Sequence, residues 1–130
     1  MKIMEILFVC TGNSFRSPVA EALTKKYKPE LDVSSAGTAP ATLIAPNGKK
    51  LLEKENARKL VKDHPQPLTA ELVQSADRII VMQEEHANFI RNTLQIDSHK
   101  IENWDIEDPI NPDVDDYRAF QEIKEKVRRL

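Results

Sequence analysis

The sequence predicts an α/β fold in which helices cover both faces of a parallel sheet. Segments with strand-like patterns alternate with segments of helical period along the 130 residues. Residues 3–9 are almost continuously apolar, as in a strand that is buried on both faces. A glycine-containing loop then leads into a Ser-Pro pair that is typical of a helix start. Strands joined by helices make right-handed crossovers, and crossovers of that kind produce a parallel sheet.

The first strand and the first helix are predicted on either side of that loop. The strand covers residues 3–9, which are rich in apolar and β-branched side chains. Ser17 is predicted as the N-cap and Pro18 as the first helical residue. Pro29 ends the helix. Its predicted buried face repeats every four residues and consists of Val19, Leu23 and Tyr27.

The next three segments are a strand, a long loop and a helix. Residues 31–35 predict a weaker second strand that ends at Ala36-Gly37. Residues 38–47 contain two prolines and no helical period, so a connecting loop is predicted there. A helix is predicted over about residues 48–58.

The second half of the chain predicts two more strand and helix pairs. The third strand covers residues 78–82 and the fourth covers residues 101–105. The helix between them has an apolar side made of His86, Phe89, Ile90 and Leu94. The closing amphipathic helix has an apolar side made of Tyr117, Phe120, Ile123, Val127 and Leu130.

Length, composition and charge restrict the classes of function. A chain of this length is typical of one domain, here predicted to span residues 1–130. The net charge is −2 and no basic tail is present, which argues against a nucleic-acid partner. The apolar start of the chain is short and is interrupted by Glu5, so neither an export signal nor a membrane span is predicted. The single cysteine fits a reducing cytoplasm.

The loop after the first strand has the features of an anion-binding site. Residues 9–18 read VCTGNSFRSP. A loop that enters a helix N-terminus directs backbone N–H groups into one concavity. Gly12 is expected to permit the tight turn, and Asn13 tolerates a left-handed conformation. Arg16 adds a bidentate fork for a tetrahedral oxyanion, and the same field favours the thiolate form of Cys10. An isolated cysteine and arginine at this spacing could be a core residue and a surface charge, but the surrounding strand, glycine and helix start favour a site.

The segment CTGNSFRSP closely resembles the signature of the low-molecular-weight protein tyrosine phosphatases, C-x-G-N-x-C-R-S-P, which also lies near the N-terminus. Residues 35–38, 76–82 and 105–109 resemble later segments of the same family. The resemblance implies a three-layer, flavodoxin-like sandwich with a four-stranded parallel sheet of order 2-1-3-4. It further implies a phosphatase that needs no metal or cofactor and works through a phosphocysteine intermediate.

The resemblance also implies the roles of individual residues. Cys10 would be the nucleophile, and Arg16 with the backbone N–H groups of residues 11–16 would bind the phosphate. Asp108 would be the general acid, although chemistry alone does not distinguish it from Asp105, Glu107, Asp113, Asp115 and Asp116. Ser17 would donate a hydrogen bond to the sulfur, and Asn13 would hold the loop in shape. The expected substrate-binding residues are Thr11, Gly12, Asn13, Ser14, Phe15 and Ser17.

Three departures from the family pattern bear on the substrate. Phe15 stands where the family usually has a second cysteine, so no disulfide can form within the loop. Ile110 follows the Asp-Pro pair where many members have tyrosine, and Leu43 and Ile44 replace an aromatic residue often found in the long loop. The substrate is therefore left open between a phosphotyrosine protein and a small aryl phosphate.

Two other functions are compatible with the sequence. Arsenate reductases coupled to thioredoxin share the implied fold and loop but use two further cysteines, so this chain would need an external low-molecular-weight thiol. A non-catalytic phosphate-binding module would not require the cysteine, the arginine and the acid together. The three histidines have no metal-ligand spacing, and Trp104 is interpreted as a packing residue. A monomer or weak dimer is expected.

Overall fold

The computed structural model describes residues 3–130, and a sheet of four parallel strands forms its centre. The strands are β1 (Glu5–Cys10), β2 (Asp32–Gly37), β3 (Arg78–Val81) and β4 (Ile101–Asn103). Their order in the sheet is β2-β1-β3-β4, and all neighbouring pairs are parallel. The predicted three-layer α/β class and the order 2-1-3-4 are confirmed.

Helices pack on both faces of the sheet. Their bounds are α1 (Arg16–Tyr27), α2 (Pro46–Lys54), α3 (Ala70–Ser75), α4 (Glu84–Asn88) and α5 (Asp116–Arg128). A short 3₁₀ turn covers residues 58–60, and a π-helical turn over residues 89–93 continues α4. The helices α1, α2 and α5 contact each other on one face, while α3 and α4 lie against the other. Within residues 3–130, no helix is long and apolar enough to cross a membrane.

The apolar run of β1 is explained by the two cores that it separates. Ile6, Phe8 and Cys10 belong to the core under α1 and α5, while Leu7 and Val9 belong to the core under α3 and α4. Alternate residues of a strand point to opposite faces, so a strand covered on both faces needs apolar residues throughout.

The predicted packing role of Trp104 is confirmed. The Trp104 ring is almost fully buried, and its centroid lies 5.3 Å from that of Phe8. The backbone N–H groups of Trp104 and Ile106 donate to the carbonyls of Val81 and Met82. These bonds attach the segment after β4 to the end of β3, at the same sheet edge as the loop after β1.

The first helix begins earlier than predicted. Arg16 is the first residue of α1 and Phe15 occupies the N-cap without a side-chain cap, so the assignment of Ser17 as N-cap is wrong. The hydroxyl of Ser17 is instead used by neighbouring side chains of the loop. In α2 the helix starts at Pro46, inside the predicted loop, because proline is favoured in the first turn.

Left-handed residues end two elements before their predicted limits. Asn56 has φ of 56° and follows α2, which stops at Lys54 rather than near residue 58. Asp105 has φ of 56° and lies beyond β4, which ends at Asn103 instead of residue 105. Such a conformation cannot continue a right-handed helix or a strand.

Two further details differ from the sequence patterns. The six-residue helix α3 has no predicted counterpart, because only Val73 is buried and the helix is held by a Thr69 cap that accepts from the Leu72 N–H. The sequence pattern predicts Tyr117 on the buried side of the last helix, but its side chain is exposed. It lies in the first turn, where Asp115 caps the helix by accepting from its N–H.

Candidate active site

Two features shape the loop between β1 and α1: one residue in the left-handed conformation, and close contact between the loop backbone and a glycine of β2. Asn13 has φ of 50°, as its residue type allowed. Gly12 does not adopt positive φ, so Asn13 and not the glycine is the left-handed residue of the turn. The glycine that the loop needs is Gly37, at the end of β2. A Cβ there would lie 2.5 Å from the Thr11 carbonyl oxygen and 2.9 Å from the Asn13 nitrogen.

The loop presents its backbone N–H groups as an anion cradle would. Within the described residues, no N–H of residues 11–16 donates to another protein group. These groups precede or begin α1, so the partial positive charge of the helix N-terminus lies in the same concavity. An oxyanion placed there would meet several donors at once.

Cys10 and Ser17 are in direct contact. The Cys10 sulfur is buried and lies 2.9 Å from the Ser17 Oγ. The Ser17 oxygen accepts a 2.8 Å bond from the Asn13 side-chain amide. The single hydroxyl proton of Ser17 is therefore available to the sulfur, and a thiolate at Cys10 would accept it. This is the contact that the resemblance implied for Ser17.

Arg16 joins the loop after β1 to the segment after β4. Its side chain is almost fully buried, and Nη1 donates to Gln83 Oε1 at 2.6 Å and to the Ile106 carbonyl at 2.8 Å. Its Nη2 lies 3.2 Å from Asp108 Oδ2 and 3.3 Å from Thr11 Oγ1. These contacts direct the guanidinium towards the loop and bring one carboxylate onto it.

The structure separates Asp108 from its acidic neighbours. Asp108 lines the same cavity as Cys10 and Arg16. Asp105, Glu107, Asp113 and Asp115 line a different cavity, against the start of α5. Asp116 lies in the first turn of α5, where it accepts from the Asn47 side chain. Of the six acidic residues that the sequence could not distinguish as the general acid, Asp108 alone lines the cavity that contains Cys10.

His86 takes part in the site, although the sequence pattern placed it only on a helix face. Its Nε2 lies 2.9 Å from Thr11 Oγ1, and its Nδ1 accepts from the Gln83 N–H at 3.0 Å. Burial, with the charge of Arg16 as a second cause, lowers the pKa of His86 to about 4. The ring is therefore neutral near pH 7, and with Nδ1 accepting, Nε2 carries the proton and donates to Thr11. One sequence feature could have indicated this position: Gln83 and His86 are spaced as the N-cap and N3 residues of a capping box at the start of α4, shortly after β3.

Lys62 is the second residue that sequence reasoning missed. Its Nζ donates to Asn13 Oδ1 at 2.7 Å and to the Ser35 carbonyl at 2.8 Å. The Gln66 N–H also donates to Asn13 Oδ1, and Ser35 Oγ donates to Glu21 Oε1. Lys62 lies in an irregular segment without periodicity, so no sequence pattern indicated this contact.

A cavity of about 460 Å³ opens above the loop. Cys10 and Arg16 line this cavity, and most of its other lining residues are aliphatic. Leu43 and Ile110 line it and are strongly exposed, the first in the segment after β2 and the second in the segment after β4. The residues that line it are Cys10, Thr11, Gly12, Ser14, Phe15, Arg16, Ala39, Ala41, Leu43, Ala45, Pro46, Asn47, Asp108, Pro109 and Ile110.

Ser14 and Phe15, two further residues of the expected substrate-binding set, also have structural contacts. The Ser14 hydroxyl donates to the Leu43 carbonyl at 2.9 Å and so attaches the rim to the loop. The Phe15 ring is buried beside Gly48 of α2, where a Cβ would lie 3.2 Å from it. Neither side chain offers a free polar group to a ligand. These two residues can therefore contact a bound anion mainly through their backbone N–H groups.

The geometry brings a thiol, a guanidinium with a set of backbone N–H groups, and a carboxylate to one cavity. The Cys10 sulfur, the Arg16 guanidinium and the Asp108 carboxylate border one cavity. Such an arrangement can attack a tetrahedral phosphorus, neutralise its oxygens and protonate a leaving group. In the part of the chain that the structure describes, no cluster of three or more His, Cys, Asp and Glu side chains could hold a metal ion.

Comparisons with known proteins agree with this geometry. The family model for low molecular weight phosphotyrosine protein phosphatases matches residues 5–130. The chain is 32% identical over 144 residues to a protein-arginine-phosphatase of Bacillus subtilis strain 168, covering 98% of this chain and 94% of that protein. It is 33% identical over 143 residues to the low molecular weight protein-tyrosine-phosphatase Etp of Escherichia coli strain K12, covering 98% and 86%.

An arsenate reductase of Bacillus cereus strain Q1 is also similar, at 30% identity over 127 residues, covering 96% of this chain and 92% of that protein. Among solved structures, a mutant of the YwlE arginine phosphatase with a phosphorylated active-site serine superposes with a TM-score of 0.86. That comparison has 30% sequence identity and covers 97% of this chain and 92% of the other.

Proposed function

Because the chain belongs to the low-molecular-weight phosphotyrosine protein phosphatase family, and is thus a phosphatase, we propose that it dephosphorylates protein side chains through a phosphocysteine on Cys10. One observation carries the proposal. The Cys10 sulfur, the Arg16 guanidinium and the Asp108 carboxylate border a single cavity, although Asp108 is distant in the sequence.

The first half of the proposed reaction transfers the phosphoryl group to sulfur. Phosphate oxygens bind the N–H groups of residues 11–16 and the Arg16 guanidinium. The Cys10 thiolate attacks phosphorus, the S–P bond forms and the bond to the leaving atom breaks. Asp108 donates its proton to that leaving atom, because an expelled alkoxide or phenoxide is a poor leaving group without one.

The second half regenerates the enzyme. Asp108, now a carboxylate, takes a proton from water as the water oxygen attacks phosphorus. The S–P bond breaks, inorganic phosphate is released and the electron pair returns to sulfur. The Ser17 hydroxyl, 2.9 Å from the sulfur, stabilises the thiolate as it departs.

Arg16 would exchange partners when phosphate binds. In the structure its Nη2 contacts Asp108, while its Nη1 is held by Gln83 and Ile106. A phosphate dianion competes with the Asp108 carboxylate for Nη2, because both are acceptors of the same fork. Release of Asp108 would free its carboxyl for the leaving group, whereas the bonds to Nη1 keep the guanidinium in place.

The substrate class has two candidates. Phosphotyrosine follows from the family, which is named for it. Phosphoarginine is the second candidate, and the cavity walls favour it. Among the described lining residues Phe15 is aromatic but its ring is buried, so aliphatic Leu43 and Ile110 flank the entrance. An aliphatic slot suits a flexible alkyl chain, whereas it offers no ring for stacking on phosphotyrosine.

The two alternative functions are less well supported. Arsenate reduction would require an external thiol, since Cys10 is the only cysteine of the chain. A non-catalytic phosphate-binding module has no need for a nucleophile and an acid on the same cavity.

For the remaining properties we propose one domain over residues 1–130, a cytoplasmic location that keeps Cys10 reduced, no nucleic-acid partner and a monomer or weak dimer.

A parallel turnover experiment tests the proposal. The enzyme is given a phosphotyrosine peptide, a phosphoarginine peptide of matched sequence, an aryl phosphate, and arsenate with added thiols, and Cys10→Ser is the control. We expect phosphate release from at least one phosphopeptide and no turnover with Cys10→Ser, because a serine hydroxyl is a weaker nucleophile than a thiolate and its alkoxide is a poorer leaving group. Arsenate reduction that outpaces ester and peptide hydrolysis would overturn the assignment, as would full activity in Cys10→Ser.

A further inference from the structure

We propose that Lys62 is a positioning residue that stabilises the thiolate of Cys10 through Asn13 and Ser17. This rests on the proposed role of Cys10 as nucleophile. Lys62 lies 52 positions from Cys10 in the numbering, in the irregular segment between the 3₁₀ turn and α3. Lys62 contacts Ser35 of β2, on one side of β1 in the sheet. The partners of Arg16, which are Gln83, Ile106 and Asp108, follow β3 or β4 on the other side.

The contacts of Lys62 indicate that it is an ammonium with three donors in use. Its Nζ lies 2.7 Å from Asn13 Oδ1, 2.8 Å from the Ser35 carbonyl and 3.3 Å from Ser35 Oγ. The Ser35 hydroxyl donates its own proton to Glu21, so its oxygen is an acceptor for Lys62. Three acceptors around one nitrogen match the three protons of an ammonium, whereas a neutral amine has only two.

A directed chain of hydrogen bonds joins this cation to the sulfur. Lys62 donates to the Asn13 side-chain oxygen, and the amide nitrogen of Asn13 donates to Ser17 Oγ at 2.8 Å. The Ser17 Oγ lies 2.9 Å from the Cys10 sulfur, and with Cys10 as a thiolate the Ser17 hydroxyl is the donor of that bond. Each link has its donor on the Lys62 side, so a positive charge at one end polarises every bond towards a negative charge at the other.

The neighbouring charges allow Lys62 to supply the positive charge that stabilises the Cys10 thiolate. Burial lowers the pKa of Lys62, while the charges of Glu21 and Cys10 favour its ammonium form and Lys25 opposes it. Glu21 is itself paired with Lys25 at 2.9 Å. On the other side of the sulfur, Arg16 shares its charge with Asp108 in the structure.

Hydrogen bonding and charge can be separated because Asn13 has a second anchor. The Gln66 N–H also donates to Asn13 Oδ1, at 2.9 Å, and Asn13 Nδ2 also donates to Ser35 Oγ. The amide orientation therefore survives loss of the Lys62 donor. What a neutral side chain at position 62 removes is mainly the positive charge.

The test is the alkylation of Cys10 by iodoacetamide, followed by intact mass, in wild type, Lys62→Met, Lys62→Arg and the control Lys59→Met. Lys59 is exposed on the neighbouring 3₁₀ turn. Iodoacetamide is uncharged and reacts with the thiolate, so its rate reports the thiolate fraction without any substrate. At about pH 6 we expect Lys62→Met to react about threefold to tenfold more slowly than wild type. At about pH 8.5 the difference between the two rates should be smaller, because a charge at position 62 acts on the rate only through the thiolate fraction.

The remaining outcomes also decide the question. Lys62→Arg, which keeps the charge, should stay near wild type at both pH values, and Lys59→Met should match wild type. A pH-independent loss in Lys62→Met, or a Lys62→Arg variant as slow as Lys62→Met, would show a structural role and overturn the inference. If Lys62→Met does not fold, Lys62→Gln replaces it, since its amide can donate but carries no charge. Alkylation needs no turnover, so a failed phosphatase assay leaves this test intact.

Discussion

Replacing Asp108 with asparagine separates acid catalysis from the structural contacts of that side chain. Asparagine has nearly the same shape, and its side-chain oxygen can still accept from the Ile110 N–H, as Asp108 Oδ1 does at 3.1 Å. The contact with Arg16 Nη2 is long, at 3.2 Å, and about a third of the Asp108 side chain is exposed. The buried Arg16 guanidinium keeps Gln83 and the Ile106 carbonyl as acceptors when Asp108 is replaced, so the variant should remain folded.

The expected loss lies in catalysis and depends on the leaving group. Without the proton donor, turnover should fall by a factor on the order of 10² to 10⁴ for poor leaving groups such as alkyl phosphates and phosphotyrosine. An activated leaving group such as a nitrophenol needs little protonation and should lose far less. Asp105→Asn and Glu107→Gln are matched controls, because both carboxylates line the neighbouring cavity and not the one above Cys10.

The assay compares kcat and kcat/KM for a series of aryl phosphates with rising leaving-group pKa, for wild type and the three variants. The slope of log kcat/KM against leaving-group pKa should steepen in Asp108→Asn and remain unchanged in the two controls. A uniform loss across the series would mean that Asp108 has a structural role. A steeper slope in Asp105→Asn or Glu107→Gln, with Asp108→Asn normal, would show that a different carboxylate is the acid.

Three other predictions concern Gly37, His86 and Cys10. Gly37→Ala should destabilise the fold by about 1–3 kcal/mol in urea unfolding and reduce activity, because its Cβ would meet the Thr11 carbonyl at 2.5 Å; an unchanged stability would contradict that geometry. His86, with its pKa lowered to about 4, binds fewer protons than the unfolded chain between that value and 6.5, so stability should fall by up to about 3 kcal/mol as pH drops through this window. His86→Gln should lose that part of the pH dependence, and an identical profile in urea titrations would refute it. Peroxide should inactivate Cys10 reversibly at first and irreversibly later, with protection by phosphate and early recovery by small thiols, because Phe15 leaves no neighbouring thiol; resistance like that of an ordinary cysteine would count against a thiolate.

Local segments of the sequence were sufficient for the frame of the molecule. The apolar run of β1, the left-handed tolerance of Asn13 and the presence of a helix after the loop are properties of neighbouring residues, although the helix begins at Arg16 and not at Pro18. The alternation of strands and helices then predicted a parallel sheet, because crossover connections have one hand. Strand order came from the family resemblance, since periodicity alone does not say which strands are neighbours.

Tertiary structure decided which distant residues complete the site. Arg16 contacts Asp108 across 92 residues, Thr11 contacts His86 across 75, and Asn13 contacts Lys62 across 49. Composition near residues 105–116 could not distinguish one carboxylate from another, and the irregular segment around Lys62 has no period to interpret. These contacts depend on loops that meet at the carboxyl edge of the sheet, where the path of each loop is set by packing and by single left-handed residues such as Asp105. Sequence patterns report local conformation and burial, whereas convergence at this edge is a property of the folded chain.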